Sequence, residues 1–343
     1  MKHFGFAVFA FCAFCASSAA ASPTIWQRAI SPESAKSQLL LNRIERILGT
    51  VGLPGSEFAE GVIAMSQLSD ARWSCAGVKR RLRAPGDASA PDARLEFLIG
   101  EALIDAPSDR TADARCVLEQ ALKDAPASPL AADGWSDLAV AYAKLGDEHA
   151  ARAAYVHALE LDWDSEDRAR LYTNLAETDM DLGQLKLAIS EYRVALSSAG
   201  RADHVTAAYF GLAVALDRFG DFPAALDAAS RAIAMPLPQT MFGEVSVLDL
   251  PGTFFTPEYE IHYYKALRAM ALARAAKDPT SKREALSDAA EEWAAYLVRA
   301  EVDRTPWVQP ARLHQASVER ELAKYPAPRA EPAAVSPAEL TPL

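Results

Sequence analysis

The chain has 343 residues, half of them hydrophobic and 24% charged, with 35 Lys and Arg against 46 Asp and Glu for a formal net charge of −11. A surface this acidic disfavours nucleic acid and anionic membranes as partners. Six histidines and four cysteines, with no HExxH and no Cys/His cluster at ligand spacing, argue against a metal site.

Residues 1–21 read as a leader: a short charged start at Lys2 and His3, an apolar run from Phe4 to Ala16, and Ala19-Ala20-Ala21 as a cleavage pattern. The competing reading is a membrane anchor, but the run falls short of the roughly 20 residues a spanning helix needs. Removal after Ala21 takes Cys12 and Cys15 with it. Cys75 and Cys116 remain, and in an oxidising compartment they are candidates for a disulfide, the alternative being two buried thiols.

Residues 22–90 are expected to form a linker and capping helices. Pro32 to Leu48 reads as an amphipathic helix closed by Gly49, and Glu57–Gln67 with Ser69–Arg83 as a hairpin. Residues 91–131 form a degenerate copy of the unit that follows, with Leu98, Ala102, Ala114, Leu118, Ala121 and Leu122 matching it and Glu101, Asp105 and Asp109 departing.

Residues 132–235 repeat one pattern three times at an offset of 37 positions. Trp135, Tyr172 and Tyr209 are followed by Leu138/Leu175/Leu212, Ala139/Ala176/Ala213 and Tyr142/Asp179/Leu216, the spacing of one helix face. Gly146, Gly183 and Gly220 then mark turns where glycine can take the left-handed conformation that ends a helix. A second helix carries Ala151/Ala188/Ala225, Tyr155/Tyr192/Ala229, Ala158/Ala195/Ala232 and Leu159/Leu196/Ile233, small residues alternating with large so that two antiparallel helices interdigitate.

This pattern resembles the tetratricopeptide repeat, a helical hairpin of about 34 residues. Asp179 in place of an apolar residue, Ala229 in place of an aromatic one and the missing terminal prolines depart from it. The resemblance implies an all-α fold, a right-handed α-solenoid whose first helices line a concave groove for a peptide or helix. Carried onto this chain, the groove comprises Asp133, Ser136, Val140 and Lys144, then Arg170, Thr173, Asn174, Glu177 and Asp181, then Phe210, Val214, Asp217 and Arg218. Phe210 and Val214, one turn apart, are expected to give it an exposed apolar anchor, unless the chain's own insertion covers them. Family members that clamp a C-terminal carboxylate use several Lys and Asn side chains; this chain offers only Asn174 with Arg170 and Lys144 as partial substitutes, which argues against such a clamp.

Residues 236–256 are an apolar insertion that either folds back over the last groove or meets a partner. Residues 257–325 read as C-terminal helices, the first opened by Thr256-Pro257-Glu258 and the second by Asp278-Pro279, and residues 326–343 as a Pro-rich disordered tail. Asp162, Asp164, Glu166 and Asp167 lack the glycine and terminal acid of a calcium loop and suit helix capping. No phosphate-cradling loop or nucleophile elbow is present, so neither an enzyme nor a cofactor is indicated. The sequence reads as an exported, periplasmic scaffold for a protein or peptide partner, and alternatively as a binding protein enclosing a small molecule or glycan with the groove and the insertion.

Overall fold

The computed structural model describes residues 71–83, 93–104, 110–161, 165–198, 202–236, 239–240, 243–244, 246–249 and 255–325. The expected leader, the helices before residue 69 and the tail from residue 326 lie outside them. The helices are α1 (Cys75–Arg83), α2 (Ala93–Ile104), α3 (Thr111–Asp124), α4 (Ala131–Lys144), α5 (Glu148–Glu160), α6 (Ser165–Asp181), α7 (Leu185–Ser197), α8 (Ala202–Phe219), α9 (Phe222–Ile233), α10 (Glu260–Ala275), α11 (Pro279–Asp303) and α12 (Val308–Leu322).

Successive helices pair as antiparallel hairpins, α2 with α3, α4 with α5, α6 with α7, α8 with α9 and α10 with α11. The hairpins also touch through their first helices, α2 on α4, α6 on α8 and α8 on α10. The result is an α-solenoid. Its core follows the repeat: Ala139, Ala176, Ala151, Ala188, Ala225, Tyr155, Tyr192 and Ala229 are all fully buried. Alanines let the helix axes approach while the tyrosines fill the space between them.

Each hairpin turn is closed in the same way. Gly146, Gly183 and Gly220 have φ of +75°, +74° and +98°, and no neighbour would meet a Cβ there, so the backbone conformation alone calls for glycine. The next residue sends its N–H back to the carbonyl five positions earlier, Asp147 to Tyr142, Gln184 to Asp179 and Asp221 to Leu216. Asp147 and Asp221 also open the following helix by accepting from Ala150 N and Ala224 N.

Before this array, a disulfide joins Cys75 of α1 to Cys116 of α3, with Cα atoms 5.2 Å apart. It ties the first described helix to the degenerate hairpin. After the array, a two-residue antiparallel ladder pairs Gln239 with Glu244 and Thr240 with Gly243. A 3₁₀ turn (Val247–Asp249) then packs on α8 and α10, with Val247 and Leu248 buried. Part of the insertion thus lies against the last repeat. The expected helix start at Thr256 is corrected: α10 begins at Glu260 after the cis Thr256–Pro257 peptide, whereas Asp278 does cap α11 by accepting from Ser281 N at 2.8 Å.

The α10–α11 hairpin acts as a further unit. Tyr263, Trp293 and Tyr296 meet edge to face, with ring centroids 4.7 Å apart for Tyr263–Trp293 and 5.1 Å for Tyr263–Tyr296. None of the described helices is long and apolar enough to cross a membrane.

Candidate functional site

The structure corrects the groove read from the sequence. Val140, Arg170, Thr173, Asn174, Phe210, Val214 and Asp217 are buried; Phe210 is 3% exposed and Val214 not at all. The concave side of α8 is closed by α6, α10 and the 3₁₀ turn, so Phe210 and Val214 belong to the core and offer no anchor. Of the thirteen expected groove residues, Asp133, Lys144, Glu177 and Asp181 keep contact with solvent. Lys144 Nζ donates to the Ile104 carbonyl at 3.2 Å.

What remains open is acidic. Glu177 of α6 accepts the hydroxyl of Tyr264 of α10, at 2.6 and 2.9 Å to its two oxygens, and also the hydroxyl of Tyr192 of α7. Three elements converge on one carboxylate. The convergence depends on Gly211 of α8, because a Cβ there would stand 2.4 Å from the Tyr192 ring. Asp181, one turn beyond Glu177, is exposed at the end of α6, and Glu148 is half-buried at the start of α5.

Burial raises all three carboxyls, and Glu177 adds to the rise at both Glu148 and Asp181. Burial pushes Glu148 up to about 7, with Glu177 and Asp147 adding to it. Burial in the recess lifts Asp181 well above the usual range, Glu177 and Glu148 push the same way, and Arg218 opposes them. Asp181 keeps part of its surface open to water although the surrounding protein crowds its carboxyl. Burial also raises Glu177, against the two tyrosine hydroxyls that stabilise its charge.

The Arg218 guanidinium favours the ionised form of both Glu177 and Asp181, but it is already committed. Its guanidinium pairs with Glu260 of α10 and stands 5.0 Å from the centroids of both the Tyr263 and Trp307 rings. Beside it, Asp217 accepts from the Tyr263 hydroxyl at 2.5 Å and lies 3.0 Å from His314 Nε2, while the His314 ring stacks on Trp293 at 5.2 Å. This second cluster is buried and pairs its charges internally, although Arg218 Nε has no hydrogen-bond partner. It fastens α10, α11 and α12 onto α8.

A third cluster explains Asp179, the polar residue at an apolar repeat position. It is fully buried and accepts from Arg152 Nε of the preceding hairpin at 2.6 Å. Glu191, pushed up to about 8 by burial first and then by Asp179, is protonated at neutral pH and hydrogen-bonds to Asp179. Asp179 Oδ2 and Glu191 Oε2 have no other hydrogen-bond partner, so a proton held between the two carboxyls suits the site. Arg152 is thus half-buried in an inter-repeat tie.

The sequence reading missed Glu148, Tyr192 and Tyr264 as groove groups. Glu148 and Tyr192 lie on second helices, outside the rule that first helices line the groove. Tyr264 follows Tyr263, which stands 54 positions after Tyr209, so the insertion hides the match to a 37-residue offset. Among the described residues no three His, Cys, Asp or Glu side chains converge as a metal-binding set.

Residues 132–163 match the family model described as tetratricopeptide repeat. No curated protein matches the sequence. Among solved structures, MamA AMB-1 is 19% identical with a TM-score of 0.37, over 51% of this chain and 95% of that one. A chain of the APC/C hetero-tetramer Cut9–Hcn1 is 14% identical with a TM-score of 0.45, over 85% of this chain and 55% of that one, so this chain spans about half its length. Residues 132–163 therefore carry a tetratricopeptide repeat, and the two hairpins that follow share its 37-residue offset and its positive-φ glycine turns.

Proposed function

We propose that this chain is a non-catalytic protein-interaction scaffold of a bacterial envelope, exported to the periplasm, whose partner seats on the acidic end of the concave face. One observation carries the reading: Glu177 is held by tyrosines from two other helices beside Asp181 and Glu148, carboxylates that no described cation pairs with. Stacked hairpins hold such a surface in place before binding, so little ordering cost falls on the scaffold. The leader-like start and the Cys75–Cys116 bond suit an oxidising compartment outside the cytoplasm.

The partner contacts expected at Phe210 and Val214 move, in this reading, to Lys144, Glu148, Glu177 and Asp181. In-cell photo-crosslinking from position 181, with position 193 on the exposed side of α7 as control, tests it. Capture of one discrete partner from 181 alone, lost when Glu177 is changed to Gln, is the expected result. Equal capture from both positions, or none, contradicts it, and recovery of the chain in the cytoplasmic fraction contradicts the location.

A second reading, an enclosed small-molecule site, draws on the burial of Phe210, Tyr259, Tyr263 and Tyr264 and on the edge-to-face contact of Phe255 with Tyr264. It predicts a compound that raises the unfolding temperature of the isolated protein and protects Tyr264 from iodination.

A further inference from the structure

We propose that the recess formed by Asn174, Glu177, Asp181 and Glu148 receives one cationic side chain, a lysine or arginine, of the partner polypeptide. The proposal rests on the scaffold reading and gives that partner a chemistry.

The cations around the recess are spent elsewhere. Arg218 belongs to Glu260 and to two aromatic rings, Arg152 belongs to Asp179, and Lys144 Nζ lies on a main-chain carbonyl. Asp181 and Glu148 have no hydrogen-bond or ion-pair partner among the described residues. A surface that merely needed solubility would spread these charges apart; here they share one concavity and oppose one another's ionisation.

Asn174 supplies an independent observation. It is fully buried, and neither its amide oxygen nor its amide nitrogen has a partner. At 3.6 residues per turn, the step of seven positions from Asn174 to Asp181 returns to within about 20° of the same direction on α6, with Glu177 one turn away between them. The helix therefore presents an unmet amide at depth, a fixed carboxylate above it and an open carboxylate at the mouth. Buried amides are nearly always hydrogen-bonded, and the exceptions mark a missing partner. Asn174 Oδ1 accepts from an N–H donor, as do the carboxylates, and all the acceptors of the recess suit a multiply donating cation.

The alternative cation is a metal ion, and the geometry disfavours it: the acids do not converge as a metal-ligand set. An ammonium or a planar guanidinium carries several diverging donors and needs no converging ligand set. Gly211 strengthens the case that the recess is built. A helix-interior glycine is unfavourable, and this one makes room for the ring whose hydroxyl fixes Glu177.

The test uses the full chain and fluorescein-labelled Gly-Ser dodecapeptides carrying one arginine, one lysine or one citrulline, with spermidine as a free amine, read by fluorescence anisotropy. The arginine or lysine peptide is expected to bind at least tenfold more tightly than the citrulline peptide. Asp181→Asn, on an exposed residue that leaves folding intact, and Glu177→Gln, with folding checked by circular dichroism, should each erase that preference. Equal affinity for arginine and citrulline peptides overturns the proposal, as does a preference that survives both substitutions. Spermidine binding as tightly as either peptide overturns the polypeptide source. A partner still crosslinked from position 181 while the peptides show no preference leaves the scaffold reading standing and removes the cation assignment.

Discussion

Helix α6 carries two acid clusters on different faces, and they differ in how their charge is met. Asp179 faces the preceding hairpin and is closed by the Arg152 guanidinium and a proton on Glu191. Glu177 and Asp181 face the concavity, where tyrosines hold one of them and no described cation pairs with either. A matched buried cluster reads as architecture. An unmatched one in a recess reads as a place where something else supplies the missing charge. The same helix thus separates stability from recognition by about half a turn.

The largest way to break this contrast is Asp179→Ala. It strands the Arg152 charge and the Glu191 carboxyl in the inter-repeat contact and should cost about 3–5 kcal/mol in urea unfolding, as removal of one partner of a buried pair does. Tyr155→Ala belongs to the same class, roughly 3–5 kcal/mol for a large-to-small change at a fully buried repeat position. Neither should change what the concave face binds once folded protein is compared.

Gly211→Ala is smaller and reaches across to the open cluster. Its Cβ would collide with the Tyr192 ring, so about 1–3 kcal/mol is expected from overpacking. Displacing that ring also frees Glu177, and partner capture from position 181 should weaken with no carboxylate removed. A variant with native capture would show that the tyrosine clasp is dispensable.

The pH dependence sharpens the comparison further. Glu191 and Glu148 stand at about 8 and about 7 in the folded chain, against about 4.3 when unfolded. Raised carboxyls mean that the folded state holds more protons, so their effect on stability is neutral below about pH 4.3 and increasingly unfavourable up to the folded values. The urea midpoint should therefore fall between pH 5 and pH 8. Glu191→Gln, which keeps a donor for Asp179, should flatten the upper part of that fall. Asp181→Asn, at an exposed site, should give the smallest stability change of the set, toward higher stability, because it relieves repulsion from Glu177 and Glu148.

The hairpins were legible in the sequence because their physics is local. Trp135, Tyr172 and Tyr209 mark one face, the three glycines mark turns that need positive φ, and the alanines mark close approach. Asp179 was legible as a departure, but its partner Arg152 stands 27 residues earlier and on another hairpin. The groove was misjudged because helix geometry says which residues share a face and says nothing of what closes over it. Phe210 and Val214 do lie on the concave side of α8, yet α6, α10 and the Val247–Asp249 turn pack against that helix. Tyr264 was hidden by the insertion's break in the offset, and Glu148 by its place at the start of a second helix. Cys75 and Cys116 were visible as a pair, while only the fold brings their Cα atoms within 5.2 Å.

The most direct measurement is the carboxyl titration of Glu148 and Glu177 by NMR on glutamate-labelled protein, with and without the arginine peptide. A cation seated among Glu148, Glu177 and Asp181, with Asp147, Glu260, Arg218, Tyr192 and Tyr264 around them, favours the ionised forms. The account predicts that Glu148 moves downward from about 7 when the peptide is present, that Glu177 moves the same way, and that binding tightens from pH 6 to pH 8. Titration curves that superimpose with and without saturating peptide would contradict the claim that this recess is where the scaffold takes its partner.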